Sequence, residues 1–519
     1  MNSVIRSFFT GALLLTICAV SVDAGVYRRA NGKQIKGRYI VMFEPGTADV
    51  PGLAAALTRA HGGRLLGTMT HAMQGFAAEL PEGAARALAR NPHVAMVEED
   101  EEAYLAATPE VNEPPFDFTP ALAPVTSDAI ASCPHNGSYY LCQYANDLHW
   151  NLDRLDNLGP IYSYKAYAYT RAGTGVRVYV VDTGVHAQHA EFTESGTSRV
   201  TIGATMLLDP DVSDAPQRTD EEQGHYSDSS PANFPCGQWT ADWYASHGTA
   251  VASVVAGHTT GVAKNATIVP VKVYSCNSSS ISKLAIARGL DWIAQDMSGR
   301  SGRAVVNMSI YIPPNEFNQV CEDGSGGYVN CTTAVEHEIN QLIGQNIPVV
   351  VSANNQNNGN CATTPARMGY GGTYPSTHRT ITVGGTMYTG TNYTDRRWEC
   401  QFAPGGCDPA WTNTTTGEGM GSNFGSCVSI WAPAWNVRVA YTTSSTAYRP
   451  AGGPSSGTSF AAPYVAGAVA RLLENYPWLT PQQVWQELAS RADQRGTNVP
   501  DFDPSGVTNR RLVYMSPWE

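Results

Sequence analysis

Five apolar runs of strand length, at 177–181, 266–273, 304–308, 347–352 and 380–383, recur along the chain with helical segments among them. No other feature restricts the fold as much. A run such as Val178-Tyr179-Val180-Val181 has no polar face to turn toward water, so it must be covered on both sides, as parallel strands are in a sheet flanked by helices. Helices are predicted at 282–297, 333–345 and 459–476, and Thr480-Pro481-Gln482-Gln483 has the form of a capping box that opens a last one. The expected core is a layered α/β domain over residues 150–519. With 42% hydrophobic and only 15% charged residues in 519, the chain has the material for it.

A smaller unit precedes this domain. From Arg38 to Glu102 the period switches repeatedly: strand at 38–43, helix at 51–61, strands at 64–69 and 75–80, helix at 81–90, strand at 94–98. Gly62-Gly63 stops the first helix, and the order is a βαββαβ unit of the ferredoxin-like kind. After it, Pro109, Pro114, Pro115, Pro120 and Pro124 among acidic residues prevent regular structure, so 106–149 is expected to be a joint and extension.

Ahead of both units, Arg6, the apolar run 8–22 and Val22-Asp23-Ala24 form a secretory signal, expected at 1–24 with cleavage after Ala24. The run is shorter than the roughly 20 residues of a spanning helix. Cys18 would leave with the signal, and the remaining cysteines start at Cys133; their even number in an exported chain predicts disulfides, with Cys133–Cys142 and Cys400–Cys407 the best local pairs. The net charge of −12 excludes a basic nucleic-acid footprint and adhesion to anionic lipid. No Cys-Xaa-Xaa-Cys or His-Glu-Xaa-Xaa-His stretch supports zinc.

Three motifs carry chemistry. Asp182, in Val181-Asp182-Thr183-Gly184, ends a buried strand where ligand sites of open α/β sheets gather; His247-Gly248-Thr249 opens an apolar helix; Ser459, in Ser456-Gly457-Thr458-Ser459-Phe460, starts another. Alone, Asp182 could equally be turn chemistry, His247 structural, and Ser459 a helix cap. Together they are more specific, because a serine hydroxyl becomes a nucleophile when an imidazole takes its proton and a carboxylate orients that imidazole. The order Asp, His, Ser separates them from chymotrypsin-like and α/β-hydrolase arrangements.

On these residues the chain resembles the subtilisin-like serine proteases, most closely the proteinase K group. Trp150-Asn151-Leu152-Asp153-Arg154-Leu155 and Gly261-Val262-Ala263-Lys264 add to the likeness, and Gly75-Phe76-Ala77-Ala78 with Val94-Ala95-Met96-Val97-Glu98-Glu99-Asp100 resembles the family's propeptide inhibitor domain. The resemblance implies a precursor with a propeptide at 25–105 that chaperones and inhibits the enzyme. It also implies self-cleavage between Ala103 and Thr108, and hydrolysis of protein or peptide substrates through an acyl-enzyme on Ser459. By the same resemblance Asn355 donates to the oxyanion, with Asn354 left-handed where the family has glycine. Substrate is expected along Ser309-Ile310-Tyr311, Ser278-Ser279-Ser280 and Ser352-Ala353-Asn354.

Departures from the family pattern leave alternatives open. Tyr311 stands where a glycine opens the substrate slot, so its ring either fills the slot and selects small residues or turns outward. Ser429 replaces a calcium-binding aspartate, so a structural calcium has no support there. No cofactor is expected for catalysis. A secreted, extracellular monomer is expected; the alternative is a non-catalytic peptide-binding scaffold with an occluded cleft.

Overall fold

A computed structural model describes residues 25–30, 32–105, 130–135, 138–144, 150–156, 166–201, 203–206, 243–274, 281–300, 302–313, 320–323, 327–359, 362–370, 377–389, 394–399, 420–448, 455–494 and 511–516. A short strand β1 (Val26–Arg28), absent from the sequence expectation, precedes β2 (Gln34–Phe43), α1 (Val50–Ala60), β3 (Arg64–Met69), β4 (Gly75–Glu79), α2 (Glu82–Leu88) and β5 (Val94–Leu105). From β2 onward this is the expected βαββαβ order, with strands side by side as β5-β2-β4-β3 and antiparallel. Asp49 starts α1 by accepting the Gly52 N–H at 3.1 Å, with proline in the first turn. Tyr39, Val41, Phe76 and Val97 of the sheet share one buried cluster with Val50, Ala54, Ala85 and Leu88 of the helices.

The larger unit contains β6 (Val176–Asp182), α3 (Trp243–Ala256), β7 (Thr267–Lys272), β8 (Ile281–Ser282), α4 (Lys283–Ser298), β9 (Arg303–Met308), β10 (Ile310–Tyr311), β11 (Val320–Glu322), β12 (Tyr328–Asn330), α5 (Ala334–Gly344), β13 (Val349–Ser352), β14 (Ile381–Thr389), α6 (Thr458–Asn475) and a closing helix, Pro481–Gln494. Strands β7-β6-β9-β13-β14 lie side by side and parallel. Burial on both faces explains the continuous apolar runs. Val178 and Val180 belong to one buried layer with Val251, Val255 and Phe460, whereas Tyr179 and Val181 belong to the other with Ile286, Leu290, Ile339 and Leu342. Capping boxes start α5, where Thr333 and Glu336 exchange bonds of 3.1 Å, and the last helix, where Thr480 and Gln483 do the same at 2.9 and 3.3 Å.

Strand β5 departs most from expectation. Predicted over 94–98, it extends 12 residues to Leu105, because its second half is paired by the larger unit: Glu102 and Ala103 with Ser282 and Ile281 of β8, and Tyr104 and Leu105 with Tyr311 and Ile310 of β10. The sheet also grows at β1, where Tyr27 pairs with Glu322 of the β11–β12 hairpin, and a disulfide joins Cys321 to Cys331 across that hairpin. From α4, Asp291 accepts the backbone N–H groups of His71 and Ala72, each at 2.7 Å, so the two units grip one another at both ends. Cys427 is also disulfide-bonded. Of the predicted local pairs, Cys133 and Cys142 lie opposite Tyr140 and Ala131 on paired strands with their side chains outside the described residues, and Cys400 and Cys407 lie wholly outside them.

Candidate active site

Asp182 is the last residue of β6, fully buried at the carboxyl end of the sheet. Its Oδ1 accepts the Thr183 N–H at 2.8 Å and faces His247 Nδ1 at 2.8 Å, with Oδ2 3.0 Å from the same nitrogen. His247 is not at the start of its helix as the sequence suggested. Helix α3 begins at Trp243, so the imidazole hangs from the second turn, where the helix is already formed and rigid. Gly248 lets the two elements approach: a Cβ there would sit 2.3 Å from Gly184 O and 3.1 Å from Asp182 Oδ1. Behind the aspartate, buried Lys272 donates to Thr183 O at 2.5 Å.

Ser459 is the second residue of α6, and the N-cap is Gly457, which makes no side-chain cap bond. The helix-cap alternative for Ser459 is thereby removed. Its neighbour Phe460 brings the motifs together, with its ring centroid 6.0 Å from that of His247. Pro463 falls within α6 beyond the first turn, contrary to expectation. Lacking an N–H, it leaves the carbonyl four residues earlier, that of Ser459, without its helical donor. Ser309 Oγ fills the gap, donating to Ser459 O at 2.9 Å, and the Ser459 hydroxyl in turn points to Ser309 O at 3.5 Å. Ser309→Ala should therefore take a hydrogen-bond donor from a buried carbonyl, cost roughly 1–3 kcal/mol in urea unfolding and lower kcat more than it raises KM. An unchanged kcat would show that the nucleophile is positioned without it.

Asn355 lies beside the same helix start. Its Oδ1 accepts both the Thr458 N–H and the Thr458 hydroxyl at 2.8 Å, which leaves Nδ2 as the donor end; that nitrogen is 2.8 Å from where a Cβ on Gly457 would be, at a φ of 129°. Asn354 has a φ of 78°, the left-handed backbone expected of it, and its Oδ1 accepts the Asn355 N–H at 2.7 Å. Ser352 and Ala353 are buried beside them. Ser429 does not fit a calcium ligand. Its hydroxyl accepts the Tyr370 and Thr382 N–H groups at 2.9 and 3.1 Å and supplies no charge.

Beside this cluster β5 runs antiparallel between β8 and β10. Tyr311 packs against Tyr104 with centroids 5.7 Å apart and the rings tilted by 34°, so its ring faces the strand in the cleft. Ser278, Ser279 and Ser280 lie outside the described residues; Ile281 and Ser282 are the residues seen pairing, and sequence reasoning missed both. The available signal was Ser282 itself, a capping residue before a helix. Just past it, buried Lys283 donates to Glu98 and Glu101 at 2.8 Å each. Burial works to lower its pKa, but the two carboxylates outweigh that and hold the ammonium above the ordinary lysine value. A cavity of about 530 Å³ lined by Thr174, Arg300, Arg303 and Glu474 lies at the other end of the sheet, by the start of β6.

A buried aspartate, histidine and serine at the carboxyl edge of a parallel sheet, with an extended peptide laid alongside, define the class of serine peptidases. The sequence pattern of the Subtilase family matches residues 173–505, and that of the Peptidase inhibitor I9 family matches residues 38–106. The chain is 30% identical to an extracellular serine proteinase of Thermus sp. (strain Rt41A), over 91% of its own length and 90% of the relative's. It is 29% identical to alkaline serine exoprotease A of Vibrio alginolyticus, over 71% of its own length and half of that relative's. Fervidolysin from Fervidobacterium pennivorans, described as a keratinolytic enzyme related to subtilisin, shares the fold with a TM-score of 0.57 at 20% identity, covering 95% of this chain and 62% of that one. The chain belongs to the subtilase family. It is a subtilisin-like serine endopeptidase made as a precursor with an inhibitor-type propeptide domain. No helix among the described residues is long and apolar enough to cross a membrane.

Proposed function

We propose a secreted, monomeric endopeptidase in which Ser459 attacks the peptide carbonyl, His247 takes its proton, Asp182 fixes the imidazole, and Asn355 Nδ2 with the Ser459 N–H receives the oxyanion. The propeptide, 25–105, is its first substrate. One observation carries the reading: the end of β5 lies between two strand edges in the manner of a bound substrate and leads to the Asp182–His247–Ser459 cluster. The register that pairs Leu105 with Ile310 assigns the next residue to Ser309, whose carbonyl is beside the Ser459 hydroxyl. That residue, Ala106, lies outside the described residues, and the cut is expected after it, within the 103–108 window. Fluorophosphonate labelling of Ser459 together with amino-terminal sequencing tests both parts. A serine that resists the probe in processed protein would point to the peptide-binding scaffold, and a first amino terminus other than Ala107 would overturn the register.

Tyr311 selects the side chain at the position Tyr104 occupies, two residues upstream of the one at the cut. Its ring therefore reads substrate rather than filling the slot. Tyr311→Ala should lower kcat/KM for peptides with an aromatic residue at that position by roughly 2- to 13-fold relative to alanine there, the equivalent of 0.5–1.5 kcal/mol of ring pairing. An unchanged ratio would remove the ring from that contact.

A further inference from the structure

Strand β5 does not stop interacting with the larger unit where the cleft ends. Upstream of the residues paired by β8 and β10, three acidic side chains are seated on a surface built for them. Asp100 accepts the Ser282 hydroxyl at 2.8 Å and the Leu284 N–H, at the start of α4, at 3.1 Å. Glu98 accepts the Ala334 N–H, at the start of α5, at 2.7 Å, and shares the Lys283 ammonium with Glu101. Glu98, Asp100, Glu101 and Lys283 are all fully buried. Each partner on the larger unit is a donor, and the two carboxylates paired with Lys283, Glu98 and Glu101, belong to the segment that processing removes.

We propose that this surface, centred on Lys283 and the starts of α4 and α5, is an exosite of the mature enzyme for acidic peptide segments. The inference rests on the endopeptidase reading, in which β5 leaves after the cut. Its departure uncovers one ammonium and two helix amino termini, all of which favour an anion. A substrate extended along β8 and β10 continues over the same surface, because strands run straight at about 3.3 Å per residue. Counting from the position that faces Tyr311, acidic residues three, four and six places upstream would repeat the spacing of Glu101, Asp100 and Glu98. Charge there should speed capture and hold the substrate without touching the bond that is cut.

The test uses mature enzyme processed from the full chain and two peptides with one common core. One carries Glu, Asp and Glu at the three upstream positions, and the other Gln, Asn and Gln. The acidic peptide is expected to show roughly tenfold higher kcat/KM at low ionic strength, with the advantage shrinking in 0.5 M salt as charges are screened. Lys283→Gln should bring the ratio toward one. Equal values for the two peptides on the unaltered enzyme overturn the exosite, as does a ratio that survives Lys283→Gln. Should that variant fail to mature, the peptide pair and its salt dependence on the unaltered enzyme decide alone. Cleavage of the neutral peptide separates the two levels: if neither peptide is cut, the endopeptidase reading falls, whereas if both are cut equally only the exosite does.

Discussion

Ser459→Ala should accumulate a precursor that still carries residues 25–105, and peptide hydrolysis should fall by roughly 10⁶-fold, the scale of losing the nucleophile in a unit that acts together. The substitution removes one oxygen from a fully buried residue and keeps the helix, because Gly457 rather than Ser459 is the N-cap. Helix stability and the Ser309 bond to the backbone carbonyl of residue 459 are therefore retained, and thermal unfolding of the precursor should not move beyond what the missing hydroxyl explains. What should disappear is the proposed nucleophile for the bond after Ala106. Electrophoresis and mass measurement after expression in a protease-free host read the result directly. Mature-length protein from Ser459→Ala would assign the cut to another enzyme, and hydrolysis above about one per cent of the parent's would remove Ser459 from the mechanism.

The parts of this molecule that were legible in the sequence are those whose reasons are local. The β6 run announces burial on both faces because no residue from Val178 to Val181 is polar, and Thr333 with Glu336 announces a helix start because both halves of the cap lie within four residues. Asp182, His247 and Ser459 were legible through order and flanking glycines, and the fold brings their elements together. What was illegible depends on partners far along the chain. Glu99 to Leu105 is an unpromising strand on its own composition, and it is extended because β8 and β10, some 180 to 205 residues later, supply its partners. Ser309 read as a substrate-edge residue, yet its hydroxyl answers a vacancy that Pro463 creates 150 positions away. The seating of Glu98 and Asp100 likewise depends on donors at the starts of α4 and α5, far along the chain. Tertiary context, not propensity, decides each of these.

Asp182→Asn should lower kcat by roughly 10⁴-fold near neutral pH with little change in fold, because the damage is to a proton's address. The carboxylate is planar and symmetric, and an amide of the same shape must choose which end is oxygen. The Thr183 N–H makes the choice: it donates to Oδ1 at 2.8 Å, so the amide oxygen takes that place and the NH₂ takes the place of Oδ2. That NH₂ then lies where Oδ2 is now, 3.0 Å from His247 Nδ1. Nδ1 then faces a neutral amide, whose oxygen at 2.8 Å accepts more weakly than the carboxylate and whose NH₂ at 3.0 Å competes as a donor, so the form with the proton on Nδ1 loses its advantage over the form with the proton on Nε2. In that tautomer the imidazole has no lone pair to receive the proton of Ser459. Both buried polar groups stay partnered, which is why unfolding should change little while burst kinetics with an activated ester and the rate of propeptide removal collapse together. Asp182→Ala provides the contrast, since it leaves the Thr183 N–H and the imidazole without their acceptor and should also lose stability by roughly 1–3 kcal/mol. A loss of less than tenfold in Asp182→Asn would mean that His247 finds its tautomer without the carboxylate, and Asp182 would then be a turn residue alone.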